Sequence, residues 1–161
     1  MVLPEAIEKL FEEALVAEFA TIDHHGKIHV HPMLPLYKKG QGYLVFTSSI
    51  LFSKKVEYIR ENPKVSVFFN NEAGIRTKDY FPVLVKGLAS YDDSDIHEKW
   101  MKYLDLWKRK EPYIGKLLKQ RFALPLFWER VIIEVKPIKI YAWRNGAINE
   151  EPIVIDAKYE I

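Results

Sequence analysis

The sequence contains no cysteine, which removes disulfide frameworks, thiolate zinc sites and cysteine nucleophiles from consideration. Glycine and proline are sparse, 7 and 9 of 161 residues, so collagen-like and low-complexity architectures are excluded. No stretch approaches the roughly 18 consecutive apolar residues of a membrane-spanning helix. Charge of one sign is not in excess either. There are 24 Lys and Arg against 22 Asp and Glu, a formal net charge of +2, with basic residues scattered among acidic ones. A nucleic-acid surface needs a concentrated basic patch, so no nucleic-acid partner is expected. Residues 1–11 carry Glu5 and Glu8 and lack the basic leader and apolar core of a secretory signal. The expectation is a soluble, cytoplasmic protein with no membrane partner.

What is present is the material of a packed core: 48% hydrophobic residues, 14% aromatic and 29% charged. Residues 1–161 fit a single domain, since one core grows most readily at about 100–200 residues. Leu3, Ile7, Leu10, Phe11 and Ala14 recur at helical spacing behind Pro4, which predicts an opening amphipathic helix. The period then changes. Residues 15–22 and 27–37 read as strands around the turn Asp23-His24-His25-Gly26, and 43–47 as a third strand after Gly40-Gln41-Gly42. Phe52, Val56 and Ile59 predict a short helix stopped at Asn62-Pro63. Strands over 65–70 and 82–91 follow, separated by a polar loop over 71–80.

Asp92 to Asp95 offers N-caps for a helix carrying Ile96, Trp100, Tyr103, Leu104 and Trp107 on one face. A further helical segment runs from Ile114 to Phe122 and ends near Pro125. Strands over 130–135 and 138–143, broken at Pro137, and a tail strand over 153–155 complete the chain. The first strands are joined by turns too short for parallel crossovers. The fold class expected is mainly β (α+β): an antiparallel, barrel-like sheet of six to seven strands with helices covering its openings and a helical insert near 93–127.

The stretch most suggestive of chemistry is Phe46-Thr47-Ser48-Ser49-Ile50-Leu51-Phe52-Ser53-Lys54-Lys55, a strand that runs through hydroxyls into a helix start with two lysines. Hydroxyls, free backbone N–H groups and the positive end of a helix dipole converge naturally on a phosphate. A capped surface helix with solvated lysines has the same local pattern. His29 and His31 share a strand face, and with His24 or His25 they raise the question of a metal, but no third ligand is fixed by spacing and none is assigned.

The order of Ala17-Glu18-Phe19-Ala20-Thr21-Ile22-Asp23, Gly26-Lys27-Ile28-His29-Val30-His31-Pro32, Tyr43-Leu44-Val45-Phe46-Thr47-Ser48, and Ser53-Lys54-Lys55 through Glu61-Asn62-Pro63-Lys64-Val65-Ser66-Val67 resembles the pyridoxamine 5′-phosphate oxidase-like, FMN-binding split-barrel superfamily. Val85-Lys86-Gly87-Leu88-Ala89, Arg130-Val131-Ile132-Ile133-Glu134-Val135 and Tyr141-Ala142-Trp143 stand where that superfamily has its later strands. The resemblance spans residues 14–92 and 129–144 and leaves the insert unmatched.

The resemblance implies a homodimer with FMN in grooves at the subunit interface, and hydride transfer between the flavin and a small-molecule substrate or nicotinamide donor. It places the phosphate at Thr47, Ser48, Ser53, Lys54 and Lys55. The flavin ring is expected along the strand from His29 through Leu34, with His31, Pro32 and Met33, and at the end of the strand at Phe46, with Trp143 approaching from the partner chain. The stripe of Trp100, Tyr103 and Trp107 is expected to pack, at the dimer interface or over the flavin groove. Arg76, Tyr80, Arg121 and Arg130 are candidates for gripping an anionic substrate. No catalytic acid or base is assigned, because the cofactor carries the chemistry.

The sequence also departs from the oxidases proper. Their phosphate-holding arginine on the second strand is absent, with His29 or His31 in its neighbourhood, and the segment from Thr47 to Ser53 is longer. Pro82 stands near the place of a flavin-contacting glutamine, and no arginine-and-histidine signature follows Trp143. A substrate other than pyridoxamine phosphate is therefore expected. A deazaflavin or haem in the same groove, or a non-catalytic flavin-binding or sensing module, are the alternatives.

Overall fold

The computed structural model describes residues 3–70, 80–120 and 125–157. Helix α1 (Glu5–Glu13) buries Ile7, Leu10 and Phe11, and Glu5 and Glu8 in its first turn complement the helix dipole. Glu8 is itself buried. It accepts hydrogen bonds from the Tyr37 hydroxyl at 2.6 Å and the Gly40 N–H at 2.8 Å, fastening the helix to the segment after the second strand.

Strands β1 (Ala17–Ile22) and β2 (Ile28–Met33) form the expected hairpin, closing at Ile22 opposite Ile28. Gly26 turns the chain at a φ of 77°. The Asp23 carboxylate accepts the His25 and Lys27 N–H groups, both at 2.9 Å, which locks the turn. Strand β3 (Leu44–Ser49), helix α2 (Lys54–Glu61) and strand β4 (Lys64–Phe69) follow, with a 3₁₀ turn over Ile50–Phe52. Two long strands, β5 (Tyr80–Asp92) and β6 (Arg130–Arg144), and the short β7 (Ile153–Asp156) complete the sheet.

The strand order is β2-β1-β4-β5-β6-β3, with β7 beside β6, and every pairing is antiparallel. The sheet curls into a half-barrel with flanking helices, the mainly β architecture expected from the sequence. One core cluster joins α1 to the inner faces of the strands through Phe11, Phe19, Phe46, Phe69, Val85 and Ile133. A second lies under the insert, where Trp100, Trp107 and Trp128 pack within 6.2 Å of one another with Leu36, Val45 and Ile132.

Four details correct the sequence reading. Strand β6 runs unbroken through Pro137, which sits opposite Gly87 at a register shift where the ladder is already irregular. Tyr80 opens β5 opposite Arg144 and is not part of the preceding loop. The insert begins as a 3₁₀ turn over Lys99–Tyr103 and becomes α-helical only in α3 (Leu104–Lys110), because Asp95 caps the N–H groups of His97 and Glu98 in a local turn. After α4 (Ile114–Leu117), Pro125 starts a helical turn, α5 (Pro125–Trp128), where the fixed φ of proline is tolerated. Gly74, most of the expected polar loop, and Phe122 lie outside the described residues.

Candidate functional site

Strands β2 and β3 are the two ends of the strand order, and the barrel is split between them. A cleft of about 690 Å³ opens there. Its walls come from β2 and the residues after it, from the end of β3, from the 3₁₀ turn and α2, and from Trp107 of α3. His29, His31, Pro32, Met33, Thr47, Ser48, Lys54, Lys55 and Arg130, all singled out from sequence, line this one cavity.

The polar end is built on β3 and the first turn of α2. The chain leaves β3 through two buried serines, and the Ser49 hydroxyl accepts the Leu51 N–H, starting the 3₁₀ turn that delivers α2. Lys55 is buried, and its ammonium donates to the Ser48 hydroxyl at 3.1 Å and the Phe52 carbonyl at 2.8 Å. Arg130, also buried, comes from β6. It donates through Nε to the Thr47 hydroxyl at 2.9 Å and through its terminal nitrogens to the Thr47 and Phe127 carbonyls, both at 3.1 Å. The rings of Trp107 and Phe127 lie 4.8 and 5.1 Å from its guanidinium carbon.

These cations lack compensation. Among the described residues, no carboxylate pairs with Lys55 or Arg130. Burial, and then the charge of Arg130, push the Lys55 ammonium below its ordinary range, while burial brings Arg130 to about 10. His31 is lowered for related reasons: burial first, then the charges of Lys55 and His29. Its Nδ1 is sealed from solvent without a hydrogen-bond partner among the described residues. Protonating that atom would bury an unpaired donor, so His31 stands neutral in the free protein.

His29 is oriented twice over. Its Nε2 meets the Asp23 carboxylate at 2.8 Å, and its ring stacks on Tyr58 of α2 at 4.8 Å. Asp23, hydrogen-bonded first by His29 and then by backbone N–H groups, is held down at about 2. The apolar part of the lining is made by Met33, Leu34, Leu36, Leu51, Phe52 and Trp107.

Other residues singled out from sequence stand elsewhere. Phe46 is fully buried in the main core, edge-on to Phe19 at 5.1 Å. Ser53 sits just before α2, and its carbonyl accepts the Val56 and Glu57 N–H groups. Trp143 is half-buried near the far end of β6, outside the cleft lining of its own chain. Tyr80 is placed only by its backbone in β5, and Arg76 and Arg121 lie outside the described residues. Sequence reasoning missed Tyr58 and Leu36, whereas Leu34, at the end of the expected ring-lining stretch, and Trp107, of the aromatic stripe, stand in the cleft lining. For Tyr58, one turn beyond Lys54 and Lys55 on α2, helical spacing carried a signal.

No protein-family model matches the sequence, and no curated protein matches it. Solved structures do. The chain is similar to an F420 reductase, with 24% identity over 86% of this chain and 98% of the other, at a TM-score of 0.60. It is similar to general stress protein 26 from Bacillus anthracis, with 21% identity over 94% and 96% of the two chains and a TM-score of 0.57. A protein from Clostridium acetobutylicum related to general stress protein 26, of the pyridoxinephosphate oxidase family, gives 14% identity over 94% of both chains and a TM-score of 0.60. The chain thus shares the split-barrel fold of these structures.

Proposed function

We propose that the protein is an oxidoreductase that holds a phosphate-bearing flavin-type cofactor, FMN in the first instance, in the cleft between β2 and β3. The observation that carries this reading is the pair of buried cations, Lys55 and Arg130, each tied to a hydroxyl at the cleft and neither matched by a carboxylate among the described residues. Leaving two like charges desolvated is costly unless an anion joins them. Thr47, Ser48 and the exposed Lys54 add donors and charge at the same end. Arg130 fits the role that the absent second-strand arginine has in the oxidases proper, reaching the site from β6.

A planar ring system suits the remainder of the cleft, where Met33, Leu34, Leu36 and Trp107 offer apolar surface. A bound flavin or deazaflavin supplies acceptance and donation of hydride. The chain's own residues bind the anion, exclude water from the ring's surroundings and fix His29 against Asp23 at the cleft wall. The likeness to an F420 reductase supports a deazaflavin as the second reading, since the same cationic end accepts either phosphate.

A homodimer completes the reading. Ile28 and Ile138 stand 69% and 42% exposed and line one groove on the sheet with Ala20 and Ile22. Apolar surface of that kind fits a second copy of this chain better than water.

The test is the absorbance spectrum of the protein purified without added cofactor, with mass spectrometry of the released chromophore. FMN or a deazaflavin in the released fraction supports the reading. A colourless protein that takes up neither on titration overturns it.

A further inference from the structure

Outside the anion end of the cleft, one half-buried cation has no part in the function proposed above. Lys110 closes helix α3, the element that carries Trp107 into the cleft wall. Its ammonium donates to three backbone carbonyls at once: Phe11 at 3.0 Å, Ala14 at 2.9 Å and Pro35 at 2.5 Å. The first two belong to the end of α1. The third belongs to the buried residue between Leu34 and Leu36, both of which line the cleft. One nitrogen therefore joins the insert, the first helix and the segment that carries Leu34 and Leu36.

We propose that Lys110 is a positioning residue: its ammonium clamps α3 to the residues after β2 and so holds Trp107 packed with Leu34 and Leu36 in the apolar lining of the cleft. Three carbonyls match the three N–H groups of an ammonium. A neutral amine has two N–H groups and a lone pair, and the lone pair repels the third carbonyl. An exposed solvated lysine needs no such convergence, and its neighbours on α3, Lys108 and Arg109, are exposed.

The groups that face Lys110 are known from the hollow around it. Glu12 and Glu13 come from α1, Tyr37, Lys38 and Lys39 from the segment after β2, and Arg109 from α3 itself. Burial draws Lys110 down to about 7, against the charge of Glu12, which raises it. The clamp is therefore closed at mildly acidic pH and loosens as pH rises through neutrality.

The clamp stands on its own geometry, whereas its effect on a ligand rests on the flavin reading. Two measurements keep these apart. Hydrogen exchange of the ligand-free protein, followed by mass spectrometry, reads the peptides covering 34–37 and 104–110. Fluorescence titration with FMN reads affinity. Lys110→Met is expected to raise exchange at least threefold in both peptides and to weaken FMN binding at least tenfold, while Lys108→Met changes neither. For wild-type protein, exchange in these peptides, corrected for the intrinsic pH effect, rises between pH 6 and pH 9.

Unchanged exchange in Lys110→Met together with pH-independent corrected exchange in wild type overturns the clamp. If Lys110→Met does not fold, the wild-type pH series decides alone. Faster exchange in Lys110→Met with unchanged FMN affinity overturns the link to the cleft wall. If wild-type protein binds no FMN, it is the flavin reading that fails, and the exchange data still judge the clamp.

Discussion

Lys55 illustrates a conflict between stability and binding that runs through the candidate site. Its ammonium is buried against Ser48 and the Phe52 carbonyl, burial and then the charge of Arg130 act on it, and its folded pKa lies below the unfolded value. Between those two values the unfolded chain binds more protons than the folded one, so this residue makes stability rise with pH there and burdens the fold at neutral pH. Lys55→Met should therefore leave the ligand-free unfolding temperature unchanged or higher. It should weaken FMN binding by about tenfold to a hundredfold, the worth of one charge-assisted hydrogen bond. Calorimetry and fluorescence titration on the same preparations check both. The aspartates give a pH slope of the same sign but stabilise the fold at neutral pH, where Lys55 burdens it. Asp23, held by His29 and turn N–H groups, and Asp92, held by Lys99 and Ser94, both lie at about 2, below the ordinary carboxylate value of about 3.9. Their stabilisation is complete above that ordinary value and is lost as pH falls toward 2. Asp23→Asn and Asp92→Asn should each flatten the decline of the urea midpoint with acid over that interval.

At the scale of elements, the pairing of β5 with β6 shows how close approach and sequence constrain one another. Gly87 faces Pro137 at the register shift, and a Cβ at Gly87 would lie 2.6 Å from the Lys136 carbonyl oxygen and 2.8 Å from Val135 Cγ1. Gly87→Ala is expected to cost about 1–3 kcal/mol by overpacking, seen as a lower urea midpoint with an unchanged slope. A midpoint equal to wild type contradicts this. The same pairing explains what was legible. Hairpin β1–β2, helix α1 and helix α2 follow from local signals, namely Gly26, Asp23, apolar periodicity and Asn62-Pro63. Pro137 reads locally as a break, yet the irregular ladder opposite Gly87 accommodates it. In the site, Thr47, Ser48, Lys54 and Lys55 were legible because the chemistry is contiguous in the chain. Trp107 was legible as one of a packing aromatic stripe, but which surface it covers is decided by tertiary packing of the insert. Arg130 was visible as a cation, but its partnership with Thr47, 83 residues away, depends on the pairing of β3 with β6.

For the whole molecule, the split barrel sets two edge strands around a cleft with one cationic end and an apolar part of its lining. If the exposed groove containing Ile28 and Ile138 is covered by a second copy, sedimentation equilibrium should give twice the chain mass, and Ile28→Asp should shift the protein toward monomer. A wild-type monomer at micromolar concentration contradicts the dimer. The central claim is that buried cations hold the phosphate of a flavin-type cofactor. Its most direct test compares FMN with riboflavin, which share the ring and differ by that phosphate, in titrations of wild type and Lys55→Met. The account predicts at least tenfold tighter binding of FMN by wild type, with most of that preference lost in the variant. Equal affinity of the wild-type protein for FMN and riboflavin would contradict it.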